Sequence, residues 1–306
     1  MNAERQRLVE EAQRTIAAGS KSFRFASQIF DLKTRERSWL LYAWCRACDD
    51  ITDGQTLGHD AVGVDDPAER IAFLRDQTDA ALGGQSTGLA PFDSLATVAA
   101  ETRIPSNLPH DHLAGFSRDA AGWTPTTEDD LLSYCYQVAG AVGVMMAHVM
   151  GVDPGESDTL DRASDLGIAF QLANIARDIV DDARVGRSYI PTEWTGGTLD
   201  PLDPAQRPRL VEIARRLSTL ANRYRASSKV GAARLPFRSR WAVLSAAAIY
   251  GEVATRAVEL GANAWDRRIS ISKAEKFALV ARAFAEALLP ARQVSREGLW
   301  TRPAGA

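Results

Sequence analysis

Four aspartates carry the chemistry this sequence offers: Asp49 and Asp53 in Asp49-Asp50-Ile-Thr-Asp53, and Asp178 and Asp182 in Asn174-Ile-Ala-Arg177-Asp178-Ile-Val-Asp181-Asp182. The second set is the more telling. Gln171, Asn174, Asp178 and Asp182 recur at three, four and four residues, which places them in one stripe of a helix. Ile168, Leu172, Ile175 and Ile179 recur at four, three and four and form an apolar stripe about 100° round the same helix. Ala, Phe and Val fill most other positions, so the helix reads as largely buried. Buried carboxylates are costly unless something satisfies them, and two of them at i and i+4 also repel. A hard divalent cation removes both penalties, because Mg²⁺ takes oxygen ligands and leaves positions open for phosphate.

Spacing alone does not decide. The 24 aspartates predict roughly two Asp-x-x-x-Asp pairs by chance, and three occur. Asp161 and Asp165 lie near a helix start, where acids complement the dipole, and read as structural. Asp49, Asp50 and Asp53 do the reverse. They close the helical segment 34–53 just before Gly54, although the C-terminal end of a helix is negative and normally gathers bases. That inversion points to a cation. Arg46, one turn upstream, is placed to pair with these acids or with a phosphate.

The elements that must position these groups are helical throughout. Residues 3–18 form an amphipathic helix ending at Gly19, and Gly19-Ser20-Lys21-Ser22-Phe23 is a hydroxyl-rich turn feeding the next one. Such a turn offers N–H and hydroxyl donors to an anion, or is an ordinary capped junction. Further helical patterns cover about 67–82, 91–103, 107–121, 127–150, 157–184, 208–230, 237–263 and 272–290, with loops rich in Gly, Asp or Pro at 54–66 and before 207. Gly140 and Gly143 sit inside one of them, where each costs about 1 kcal/mol relative to Ala. Something must approach that backbone closely, either a packed helix or a bulky hydrocarbon. No alternating strand pattern or internal repeat stands out, so the expected fold is all-α, in one domain spanning 1–306.

Composition narrows the function. With 45% hydrophobic and 25% charged residues the chain is ordinary globular material, and a net charge of −3 gives no case for nucleic acid. Cys45, Cys48 and Cys135 suit a reducing compartment; the Cys45-x-x-Cys48 pair lacks a second pair for zinc and reads as packing. His148 reads as a core or rim residue. The N-terminus lacks the apolar core of a signal peptide, and the most apolar run, Val138 to Val152, is too short to span a bilayer. Two acidic clusters on different helices facing one cavity are what ionisation of an allylic diphosphate needs. The leaving charge must be neutralised as the C–O bond breaks, and the carbocation needs a dry apolar cavity.

At this point the chain resembles the squalene/phytoene synthase family, and bacterial phytoene synthases within it. The matching stretches are Gly19-Ser-Lys-Ser-Phe23, Tyr42-Ala-Trp-Cys-Arg46-Ala-Cys-Asp49-Asp-Ile-Thr-Asp53, Tyr134-Cys-Tyr-Gln-Val-Ala-Gly140-Ala-Val-Gly143, and Leu166 through Pro191. One departure is Ile179-Val180-Asp181, where these enzymes usually carry Val-Gly-Glu. The resemblance implies an isoprenoid-synthase-type helical bundle around a central apolar cavity. It also implies Mg²⁺-dependent head-to-head condensation of two prenyl diphosphates, through a cyclopropylcarbinyl diphosphate. By resemblance, Asp49, Asp53, Asn174, Asp178 and Asp182 bind Mg²⁺, with Mn²⁺ as the alternative ion. Ser20, Ser22, Phe23, Arg46, Asn174, Arg187 and, on a looser match, Arg268 bind substrate diphosphate. Tyr42, Arg46, Tyr134, Gln171, Arg177 and Tyr250 are the catalytic set. No dinucleotide fingerprint is present, so a reductive finish with NADPH is not expected. The flanking motifs imply geranylgeranyl diphosphate and phytoene, with a farnesyl-using C30 enzyme as the alternative and a non-catalytic scaffold as a more remote one. Small residues at Ala139, Gly140, Gly143 and Ala173 are expected to leave room for the longer tail. The hydrocarbon product implies a cytoplasmic enzyme in peripheral contact with a membrane.

Overall fold

The computed structural model describes residues 3–19, 21–54 and 66–303, with the side chains of 21–23 outside that description. Ser20 and the side chains of Ser22 and Phe23 therefore lie outside the described residues. The chain runs through α1 (Ala3–Gly19), α2 (Lys21–Ser27), α3 (Leu32–Asp53), α4 (Pro67–Leu82), α5 (Ala90–Thr102), α6 (Asn107–Ala120) and α7 (Glu128–Cys135). It continues through α8 (Ala141–Val149), α9 (Ser157–Arg184), α10 (Thr192–Thr195), α11 (Arg207–Ala232), α12 (Phe237–Glu259) and α13 (Lys273–Ala287). No strand occurs among the described residues.

Helix α9 is the axis, packed against α8, α11 and α12. Its stripe of Ile168, Leu172, Ile175 and Ile179 is buried, as the periodicity predicts. Local chemistry sets the ends of the elements that hold the acids. Asp31 caps α3 by accepting from the Thr34 N–H at 3.0 Å. Gly54 closes the same helix in the left-handed conformation, φ 62°, with its N–H on the Asp50 carbonyl. Thr127 and Asp130 form a capping box that starts α7.

The segment 127–150, expected as one helix, is interrupted by a π-helical turn at Tyr136–Gly140. The glycines beside it meet α9 rather than a ligand. A Cβ on Gly143 would lie 2.4 Å from the Ala163 carbonyl oxygen, and one on Gly167 would lie 2.1 Å from that of Ala139. Gly140 faces Ser164 Oγ at 2.9 Å from its would-be Cβ. The expectation that Gly140 and Gly143 leave room for a hydrocarbon tail is therefore overturned, because the α9 backbone takes that room at Gly143, and Ser164, Ile168 and Tyr136 side chains take it at Gly140. Gly167→Ala is expected to lower stability by about 1–3 kcal/mol in denaturant titration, the usual cost of forcing a methyl into a packed contact. That outcome reverses the roughly 1 kcal/mol gain of Ala over Gly in an open helix; a stabilised variant would contradict so close a crossing.

Asp161 and Asp165 are structural, for a stronger reason than the helix dipole. The segment after α13 returns along α9, and Arg296 grips Asp165 with two bonds of 2.8 and 2.9 Å. Ser227 Oγ donates to the same carboxylate at 2.5 Å, and Arg302 pairs with Asp161 at 2.7 Å. Cys48, Cys135 and His148 are core residues.

Candidate active site

The C-terminal end of α3 and the C-terminal half of α9 bring the two acidic motifs to one place, and arginines hold them. Arg46 donates to Asp49 Oδ2 at 2.5 Å and lies 3.8 Å from Asp50 Oδ1. Arg177 grips its neighbour Asp178 through both Nε and Nη2. Arg187, just past the end of α9, reaches back to Asp53 Oδ1 at 2.5 Å. That contact ties the loop after the second motif to the first motif. Charge–charge coupling of Arg187 with Asp49, Asp119 and Asp182 extends the link to both clusters. Tyr250 of α12 couples with both Arg177 and Arg46 and stacks on Phe170, ring centroids 4.0 Å apart. Tyr42 lies under the Arg46 guanidinium, 5.9 Å from ring centroid to Cζ. Asn174 and Gln171 hold each other at 3.5 Å on the same stripe as Asp178.

Asp119 is a member that the sequence reading missed. It ends α6 and accepts from the Tyr134 hydroxyl at 2.9 Å and the Tyr189 hydroxyl at 3.0 Å. The two tyrosine rings are stacked with centroids 4.9 Å apart. The signal was present: an acid in the last turn of a helix is the same inversion that singles out Asp49–Asp53. Arg268, by contrast, is not drawn in. It is exposed and lines an outer cavity of about 570 Å³ with Arg256, Arg267 and Asp266. Ala173 lines a narrow slot of about 10 Å³ beside Phe170, Tyr250 and Arg225.

The electrostatics describe a surplus of buried negative charge. Burial, then the Asp178 carboxylate, pushes Asp182 up to about 7, with Arg187 opposing. Burial raises Asp49 to about 6 against the pull of Arg46, and raises Asp119 to about 6 against Arg187 and the two tyrosines. The donor set is oxygen throughout, four carboxylates and one amide, which fits a hard cation. Among the described residues no three acidic, His or Cys side chains are gathered tightly enough to enclose an ion. Mg²⁺ is commonly held by one or two carboxylates and completes its shell with substrate phosphates and water, so its binding does not require such a cage.

A pH dependence follows. The folded chain holds the Asp182 proton to higher pH than the unfolded chain does, so stability is lost as pH rises from the ordinary value of 3.8 through about 7 and is constant above that. His112 and His148, both shifted down by burial, act in the opposite sense at lower pH, so the effect is read against Asp182→Asn, which shares them. Without metal, the melting temperature of the wild type is expected to match that of Asp182→Asn only near pH 4, to fall progressively below it between pH 4 and 7, and to stay below it by a constant margin at pH 8. Mg²⁺ with inorganic diphosphate should close the gap; parallel pH profiles would contradict the assignment.

Comparison with known proteins fits this arrangement. A sequence model described as squalene/phytoene synthase matches residues 16–275. The chain belongs to that family. It is 44% identical to a 15-cis-phytoene synthase of Paracoccus sp., over 97% of this chain and 98% of that protein. It is 42% identical to the 15-cis-phytoene synthase of Pantoea ananas, over 97% and 98%. A crystal structure of a dehydrosqualene synthase in complex with ligand superposes with a TM-score of 0.82 at 25% identity, covering 92% of this chain and 97% of that one. The chain is a phytoene-synthase-type prenyltransferase of all-α isoprenoid-synthase fold.

Proposed function

We propose that this protein condenses two molecules of geranylgeranyl diphosphate head to head, through prephytoene diphosphate, to phytoene, with release of diphosphate. The observation that carries the reading is the meeting of two acidic helix ends around Arg187, in a chain whose near-full-length relatives are named 15-cis-phytoene synthases.

When bound, Mg²⁺ or Mn²⁺ neutralises the diphosphate that leaves as the allylic C–O bond breaks. Asp49 and Asp53 from α3, and Asn174, Asp178 and Asp182 from α9, supply the oxygens that hold it. Arg46, Arg177 and Arg187 present guanidinium forks that suit diphosphate oxygens as well as carboxylates. By resemblance to the family, Ser20, Ser22 and Phe23 would contact the diphosphate. Tyr42, Tyr134, Gln171 and Tyr250 border the reacting carbons. Asp119 fixes Tyr134 and Tyr189 as a stacked pair, an aromatic wall that keeps water from the reacting carbons.

A second reading, a dehydrosqualene-type enzyme using farnesyl diphosphate, draws on the backbone likeness to the dehydrosqualene synthase. A competition assay with Mg²⁺ and both diphosphates separates them. Each extra isoprene unit adds five carbons, and a buried CH₂ is worth about 0.8 kcal/mol, so a pocket matched to C20 holds C15 more weakly. A higher kcat/KM for geranylgeranyl diphosphate and a C40 hydrocarbon are expected; preference for farnesyl diphosphate would promote the C30 reading. No helix among the described residues is long and apolar enough to cross a membrane. A hydrocarbon of this length is delivered through peripheral contact with the cytoplasmic face of a membrane.

A further inference from the structure

Helix α13 has two apolar faces, and only one is covered. Val280, Ala283 and Ala287 are buried, on the side packed against α12. Phe277, Ala281, Phe284 and Leu288 recur at four, three and four residues and form a second stripe that faces outward. Phe277 is 61% exposed, Leu288 64% and the adjoining Leu289 61%. Phe237, at the start of α12, widens the patch by lying edge-on to Phe284 with centroids 5.6 Å apart. An apolar patch that is this continuous marks an interaction surface.

Basic side chains prevail around the patch. Both α13 carboxylates are committed elsewhere: Glu275 takes Arg256 and caps at Ser272, and Glu286 takes Lys229 at 2.7 Å. Exposed Lys273 and Arg282 remain on α13 itself, with exposed Arg238 beside Phe237 and exposed Arg24 beside Phe25. Asp31 uses its carboxylate to cap α3. The patch also runs toward the site. Phe277 packs edge-on to Phe25 of α2, centroids 5.1 Å apart, and α2 follows Gly19, where a Cβ would lie 2.7 Å from the Tyr42 hydroxyl oxygen.

We propose that the outward stripe of α13 docks the enzyme on a bilayer with anionic headgroups. Phe277, Phe284, Leu288 and Leu289 enter the acyl boundary, while Lys273, Arg282, Arg238 and Arg24 meet the phosphates. A lipid surface suits the patch better than a second copy of the chain, because a two-fold contact would bring the basic rims of both copies together. The proposal rests on the reading of a long hydrocarbon product, which gives a lipid partner its use.

The test is co-sedimentation of the full-length protein with vesicles of phosphatidylcholine alone or with about one-third phosphatidylglycerol. The wild type is expected to pellet with the anionic vesicles. Ala281→Asp, which removes no buried contact, should lower the bound fraction at least about 10-fold at unchanged melting temperature, and the pair Phe277→Ser/Leu288→Ser should do the same with a small drop in melting temperature from the lost Phe277–Phe25 contact. Lys273→Gln/Arg282→Gln should lose the preference for anionic lipid. Folded variants that bind like the wild type would overturn the proposal. So would a wild type that stays in the supernatant, or a concentration-dependent dimer that Ala281→Asp dissolves. Turnover of detergent-dispersed substrate should survive all three changes. Vesicle binding through α13 by a wild type that makes no hydrocarbon would leave the docking standing and remove the functional reading alone.

Discussion

Asp178→Asn lowers kcat/KM by at least about 10²-fold while leaving the fold intact. The substitution keeps shape and one acceptor oxygen but removes the charge that both Arg177 and a divalent cation need. In the resting protein Arg177 grips Asp178 through two nitrogens, and under the proposed function the carboxylate exchanges that internal cation for the charges of the substrate complex. A 10² loss corresponds to about 2.7 kcal/mol of transition-state stabilisation, a modest share of what screening a leaving diphosphate supplies. Stability should move little, because Asp178 is the second-largest cause, after burial, of the upward shift at Asp182. Removing that repulsion offsets the weaker bond to Arg177. Asp49→Asn should behave alike. Near-normal turnover by either purified variant, with Mg²⁺ titrated to saturation, would end the metal assignment.

Most of the fold was legible because it rests on helical periodicity and punctuation. The stripes of α9, the inverted charge at the end of α3 and the stop at Gly54 all follow from local rules, and most of the helices lie where those rules put them. What escaped depends on contacts between distant elements. Gly140 and Gly143 were visible as anomalies, but only the crossing of this segment over α9 tells that α9, and not a hydrocarbon, fills the gap. The π-helical turn that permits the crossing has no sequence mark of its own. Asp119 was hidden for a different reason: its partners Tyr134 and Tyr189 are 15 and 70 residues away, and no motif spans that distance. Arg187 could be named from resemblance, whereas its bond across 134 residues to Asp53 required the structure. The resemblance reached Arg268 least well, where the chain places an exposed residue beside an outer cavity.

Asp165→Ala should cost about 3–5 kcal/mol of stability, the usual effect of removing one partner from a buried ion pair, and leave kcat of the folded fraction unchanged. Asp161 and Asp165 share the spacing of Asp178 and Asp182, yet Asp165 has no solvent exposure, and its raised pKa reflects burial that Arg296 and Ser227 only partly offset. Its carboxylate receives two bonds from Arg296 and one from Ser227, so it fastens the returning C-terminal segment and α11 to α9. The pair Asp165→Leu/Arg296→Met tests whether charge or packing does the fastening. Replacing both partners of a buried ion pair by apolar groups is often close to neutral, so the double variant should recover most of the loss in denaturant titration. A double variant as unstable as Asp165→Ala would instead assign the fastening to the bonds from Ser227 and Arg296 taken together. Equal spacing thus gives opposite readouts: turnover falls when Asp178 is neutralised, and the melting temperature falls when Asp165 is removed. Loss of turnover without loss of stability in Asp165→Ala would reverse that division.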